Sequence, residues 1–169
     1  DRAALEAALA ALRAAWRFSA FSRAREVPTT VVIVETDAAG VPMRSSRTAE
    51  GVVQSLSDAG FRLLASGVDA SRFAGRSGAE LVRSLQTSLP ADVRRVVTGT
   101  ASIAEFSDDD GVLVKVSATV SVFDLGSGEV IYATSVVKNA RSATADRAIT
   151  TAFVQLGRTI GDELAARLP

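Results

Sequence analysis

The chain has 169 residues, 47% of them hydrophobic, and its 19 basic side chains balance 19 acidic ones. That length supports a real core, the neutral balance lacks the footprint of a general nucleic-acid binder, and no apolar run approaches the ~18–20 residues of a membrane span. Cysteine and histidine are both absent, which excludes disulfide frameworks, thiolate metal sites and every histidine-dependent catalytic triad.

Residues 1–21 read as a helix. Leu5, Leu9, Leu12 and Trp16 fall at spacings of four, three and four and form one apolar stripe. The stripe is expected to anchor the helix on the sheet or on a segment upstream. Arg13, Arg17, Arg23 and Arg25 read as a solvated face rather than a site for an anionic partner. The chain opens inside this helix at Asp1, without methionine, which leaves room for an export signal removed upstream.

After Pro28, Val31-Val32-Ile33-Val34 reads as a strand covered on both faces. Glu35 to Met43 is a loop. Ser45 or Ser46 is placed to cap a helix with Ala49, Val52, Val53 and Leu56 on one face, closed by Gly60. Phe61 to Ala65 reads as a second strand, reached by a parallel crossover. Gly75-Arg76-Ser77-Gly78 has the spacing of the GXXG loop of KH nucleic-acid modules. Ser77 and Glu80 also fit a capping box, and the start of a helix with Leu81, Val82 and Leu85 inward is the preferred reading.

Arg94 to Phe106 predicts a long strand in which Gly99 marks a bulge or a close backbone approach. Asp108, Asp109 and Asp110 sit before Gly111. Three carboxylates suit a hard cation, but their spacing does not match an EF-hand, and Asp110-Gly111 is itself a hairpin signal. From Val112 to Phe123 valine and alanine alternate with mostly polar residues, the pattern of a strand with one side on a core and one side wet. Asp124 to Glu129 supplies a glycine-containing turn, and Val130 to Val137 returns as the partner strand. Ile149, Phe153, Leu156, Ile160 and Leu164 define a closing helix from about Ala145 to Leu168, capped by Ser142 or Thr144.

The order α-β-α-β-α-β-β-β-α predicts an α/β (α+β) fold with a single mixed sheet of about five strands, partly parallel and partly an antiparallel meander, with helices packed on it. One domain is expected over residues 1–169, with an amino-terminal helix and link over 1–27 and the mixed core over 28–169.

Three stretches carry a family resemblance: Val96-Val97-Thr98-Gly99-Thr100-Ala101, the strand ending Val122-Phe123-Asp124-Leu125, and the turn Gly126-Ser127-Gly128-Glu129-Val130 ahead of an alanine-rich helix. They resemble the bacterial envelope domains related to the curli-secretion lipoprotein, which occur also in flagellar assembly protein T, in the amino-terminal part of the Tol-system periplasmic protein and in lipoprotein activators of peptidoglycan synthases. The segment Ala49 to Leu64 is similar to the helix before that family's second strand. The likeness spans roughly residues 29–168 and lacks the long amphipathic membrane hairpin of the pore-forming members. It implies a non-enzymatic envelope domain, periplasmic or associated with the outer membrane. Its partners would be proteins, including further copies of itself, and it would need no cofactor. The alternative is a small-ligand or divalent-metal binding domain. The metal would sit on Asp108, Asp109, Asp110 or Glu105, and the ligand in a crevice where Glu35, Thr36 and Asp37 leave the first strand.

Overall fold

The computed structural model of the chain describes residues 2–169, and of residues 17–22 the backbone alone. Asp1 and the Arg17 side chain therefore lie outside the described residues. The elements, in order, are α1 (Arg2–Glu26), β1 (Thr29–Glu35), α2 (Arg47–Asp58), α3 (Gly78–Ser88), β2 (Arg95–Ser107), β3 (Val112–Asp124), β4 (Val130–Ser142) and α4 (Ala145–Arg167), with a short 3-10 turn over Ala70–Phe73. The four strands form one sheet in the order β1-β2-β3-β4, β1 parallel to β2 and the rest antiparallel.

The alternating valines set the sheet's two faces. Val114, Val116, Ala118, Val120 and Val122 are all at most 3% exposed. They pack with Ile33, Val97 and Ala101 under α2 and α4. Each buried valine contributes roughly 1.5–3 kcal/mol, and a one-residue slip would turn the whole row to water, so the register is firmly held. On the opposite face, Val32, Val34, Val96, Phe123 and Leu125 are covered by α3 and the 3-10 turn through Phe73, Val82 and Leu85. Further along that face the strands carry exposed Thr100, Ser102 and Thr119.

The sheet has four strands rather than five. Phe61–Ala65 is not a strand: Phe61 turns into the core, and only Leu63 bridges β1, at Thr29. Two backbone bonds, Thr29 N to Arg62 O (3.0 Å) and Leu64 N to Thr29 O (2.8 Å), tie this stub to the β1 edge. The chain then leaves to form the 3-10 turn, whose start is held by Asp69 accepting from Ser71 N at 3.0 Å. The irregularity in β2 falls between Ile103 and Glu105, not at Gly99. Gly99 is instead a close approach, since a Cβ there would fall on the carbonyl oxygen of Thr119. Ser46 caps α2, accepting from Ala49 N at 3.0 Å. Ser77 and Thr144 occupy the N-cap positions of α3 and α4 without a side-chain cap bond, so the capping box at Ser77 does not form. Val53 faces solvent at 41% exposure while Val52 and Leu56 are buried.

The helices α2 and α4 meet backbone to backbone. A Cβ on Gly157 would fall on the carbonyl oxygen of Thr48, and one on Gly51 would lie 2.6 Å from the Val154 oxygen. Across the same seam, Ser55 donates to the Arg158 carbonyl at 3.1 Å. This contact lets both helices sit on the valine row at once.

The amino-terminal helix departs from expectation. Leu5, Leu9, Leu12 and Trp16 are 63%, 46%, 67% and 73% exposed, so the stripe does not anchor α1 on the sheet. The last turn is held: Ala24 is 1% exposed, Arg62 N donates to Arg25 O at 2.8 Å, and Arg95 Nη1 donates to Ala24 O at 3.3 Å. Arg95 also donates from Nη2 to Pro169 O at 2.9 Å, tying the end of the closing helix to the end of the first.

Two predictions follow from this packing. Alanine normally exceeds glycine within a helix by about 1 kcal/mol, yet Gly157→Ala should destabilise the protein by about 1–3 kcal/mol, the cost of overpacking against backbone that cannot yield; urea unfolding reads the sign. At the β3–β4 turn, the backbone N–H of Ser127, joined by that of Gly126, holds the Asp124 carboxyl below its ordinary range. A depressed carboxylate stabilises the fold above its unfolded value near ~3.9, and that contribution is lost as pH falls through the lower folded value. Asp124→Asn should therefore flatten the acid limb of a stability-versus-pH curve, and an unchanged limb would rule this out.

Candidate functional site

Glu35 ends β1 on the inner face, fully buried and aimed at the start of α2. Its Oε2 accepts from Thr48 N (2.9 Å), Thr48 Oγ1 (2.9 Å) and Ser46 Oγ (3.3 Å), and its Oε1 accepts from Arg47 Nε at 2.8 Å. The carboxylate thus satisfies first-turn donors of α2, where negative charge is favoured. The Arg47 guanidinium lies 5.0 Å from the Phe153 ring centroid, so the cluster also locks α2 to α4. Asp37 Oδ1 accepts from Ala39 N (2.9 Å) and Val41 N (2.8 Å), and Thr36 N donates to Ala101 O at 3.0 Å. At the crevice expected around Glu35, Thr36 and Asp37, each of the three residues thus takes part in local bonds of the fold.

Asp108, Asp109 and Asp110 form the exposed tip of the β2–β3 hairpin. Arg141 Nη1 donates to the Asp110 backbone oxygen at 3.0 Å, and Glu105 pairs instead with Lys115 at 3.1 Å on the outer face. Among the described residues no group of three or more acidic side chains is arranged to hold a metal ion.

A cavity of about 180 Å³ opens on the outer face, between the start of α3 and the sheet. Its apolar side is Val34, Phe73, Leu81 and Phe123, and its polar side carries Arg76, Ser77 and the hydroxyl residues Thr98, Thr100, Thr119 and Ser121. Gly75 and Gly78 flank the arginine with φ of 74° and 54°, a turn that side-chain-bearing residues adopt only under strain. The sequence signalled this stretch through Gly75-Arg76-Ser77-Gly78. It did not signal the threonines opposite, which reach the cavity only through strand register.

Two further surfaces are unpaired among the described residues: the stripe on α1 and the outer edge of β4, where Val130 and Val137 are 57% and 53% exposed. Also among the described residues, no helix is long and apolar enough to cross a membrane.

The family described as TP0693-like lipoprotein, C-terminal domain, matches residues 28–165. No curated protein matches the chain. Among solved structures, the chain is similar to PelC from Paraburkholderia phytofirmans, crystallised as a dodecamer, with a TM-score of 0.55 and 11% identity over 86% of this chain and 90% of that one. It is similar to the hypothetical protein CT253 of Chlamydia trachomatis, with a TM-score of 0.53 and 18% identity over 84% and 97% of the two chains. It is also similar to a minor lipoprotein of Acinetobacter baumannii, with a TM-score of 0.50 and 12% identity over 85% and 96%. These likenesses show the fold. The family match supports the lipoprotein part of the resemblance seen in the sequence; kinship with the curli-secretion, flagellar and Tol proteins is not shown.

The Glu35 cluster is testable. Glu35→Gln places an amide among donors and leaves Arg47 without its partner. Removing one member of a buried pair is strongly destabilising, so the variant should lose about 3 kcal/mol in urea unfolding. A variant as stable as the parent would show that the carboxylate is not what holds α2.

Proposed function

We propose that this chain, which belongs to the TP0693-like lipoprotein C-terminal domain family, is a non-enzymatic assembly domain of the bacterial envelope that works through protein–protein contacts, its first partner being a second copy of itself. The observation that carries this reading is α1. It is 25 residues long, about 37 Å at 1.5 Å per residue, and its last turn is tied to the body of the fold. Its stripe of Leu5, Leu9, Leu12 and Trp16 is left to solvent. Helices in proteins gain most of their stability from packing an apolar face, so the stripe calls for a cover. Two such stripes packed on each other bury on the order of 1,000 Å², the lower bound of a specific interface. The likeness to a protein that forms a dodecamer supports self-association as the mode.

Localisation at the periplasmic side or the outer membrane fits the lipoprotein family. Absence of chemistry fits the inventory: no histidine or cysteine, and the one buried acid among the described residues, Glu35, already committed to structural bonds. The divalent-metal alternative finds no support at the hairpin tip, where the three aspartates are exposed and unclustered.

Trp16 is the one tryptophan in the chain, so the test can read the interface directly. Sedimentation should show concentration-dependent association, with Trp16 emission shifting blue over the same range. Replacing Leu9, Leu12 and Trp16 with serine should leave a folded monomer. A chain that stays monomeric at every accessible concentration, with unchanged emission, would defeat self-association. Envelope fractionation with pull-down tests the location and the remaining partners, and a cytoplasmic protein without partners would defeat the wider reading.

A further inference from the structure

At the outer-face cavity, unpaired donors converge without a structural use. Ser77 stands at the N-cap of α3, yet its side chain makes no cap bond. Among the described residues, the first backbone bond at that end is Leu81 N to Ser77 O at 3.3 Å. The N–H groups of Gly78, Ala79 and Glu80 therefore have no acceptor among the described residues, and such a helix start favours an anion.

A second, independent feature faces it across the cavity. Thr98 is 2% exposed and lines the cavity, and its hydroxyl has no hydrogen-bond partner among the described residues. Arg95 Nε is the only side-chain atom sealed from solvent without a partner among those residues, so the Thr98 oxygen opens onto the cavity. A hydroxyl that opens into a pocket and has no partner on the fold is free to bond a ligand that displaces its water. The third contributor is Arg76, whose Nη1 donates to Ser84 and whose remaining nitrogens carry no bond. No carboxylate lines the cavity; Glu80 is nearby on the first turn of α3 but is exposed and outside the lining.

We propose that this cavity binds a small organic oxyanion, with its charged head between Arg76, the start of α3 and the Thr98 hydroxyl, and its short apolar body on Phe73, Leu81 and Phe123. The size sets the class. About 180 Å³ is roughly six water volumes at ≈ 30 Å³ each, below the ≈ 300–1,000 Å³ of pockets for drug-sized ligands. A short-chain carboxylic acid fits within that volume. This site lies on a different face from the valine row and does not depend on the self-association of α1.

The test uses the whole chain, labelled for amide and methyl NMR, with butyrate, inorganic phosphate and neutral butyramide as probes. Butyrate should shift the Gly78 and Ala79 amides and the Thr98 methyl saturably, phosphate more weakly, and butyramide not at all. Thr98→Val removes the hydroxyl and keeps the shape. It should weaken butyrate about tenfold, the size of one hydrogen bond to a charged group, while the thermal midpoint stays level or rises. Arg76→Leu, at an exposed position, should weaken butyrate by a similar factor without unfolding the chain. No saturable response at millimolar butyrate would overturn the proposal. So would equal shifts with butyramide, or a Thr98→Val variant that loses thermal stability while binding butyrate unchanged.

Discussion

Backbone meets backbone where α2 crosses α4, and the rest of the molecule is arranged around that contact. Gly51 and Gly157 leave no room for a side chain at the crossing, and at Gly161 a Cβ would run into Ser55. Because the two helices come so close, one valine row can be roofed by both. Phe153, Leu156, Ile160 and Leu164 fill the roof from α4, and Val52 and Leu56 fill it from α2, all fully buried. Close packing of this kind tolerates little change in volume, so the seam is the least adaptable part of the fold.

Buried polar groups serve the same arrangement. Glu35 carries the end of β1 to the start of α2, and Arg47 continues the connection to Phe153 on α4. Arg95 does the matching work at the other end, holding the carbonyls of Ala24 and Pro169. Burial lowers the Arg95 pKa from its ordinary value, and the nearby Asp124 charge partly opposes that. One buried acid and one buried base thus pin opposite ends of the sheet. The surfaces left over, the α1 stripe and the outer-face cavity, are those that no structural contact requires.

The candidate sites were unequally legible in the sequence. The stripe on α1 was visible as a periodicity, but periodicity reports an apolar face and not what covers it. Trp16 therefore reads as an anchor in the sequence and as exposed surface in the fold. The cavity was half visible: Gly75-Arg76-Ser77-Gly78 stood out, while Thr98 and Ser121 looked like ordinary strand residues. They face each other because Thr98 pairs with Ser121 across β2 and β3, a relation between residues more than twenty positions apart. Glu35 was noticed as a loop acid at a strand end, and its four bonds depend on where α2 begins in space.

The sequence alone determined the local periods: the alternation of β3, the three-and-four spacing of α4, a cap at Ser45 or Ser46 and the turn at Asp124 to Glu129. These are short-range effects, decided by neighbouring side chains and by backbone conformation. Only the tertiary structure decided that Phe61–Ala65 is no strand, since the β1 edge receives a single bridge there before the chain turns away to cover the outer face. It likewise decided that the stripe of Leu5, Leu9, Leu12 and Trp16 faces solvent while the stripe of α4 lies on the core. Both helices are amphipathic, and what separates them is a non-local fact: α4 has glycines that meet α2 over the valine row, and α1 carries no glycine.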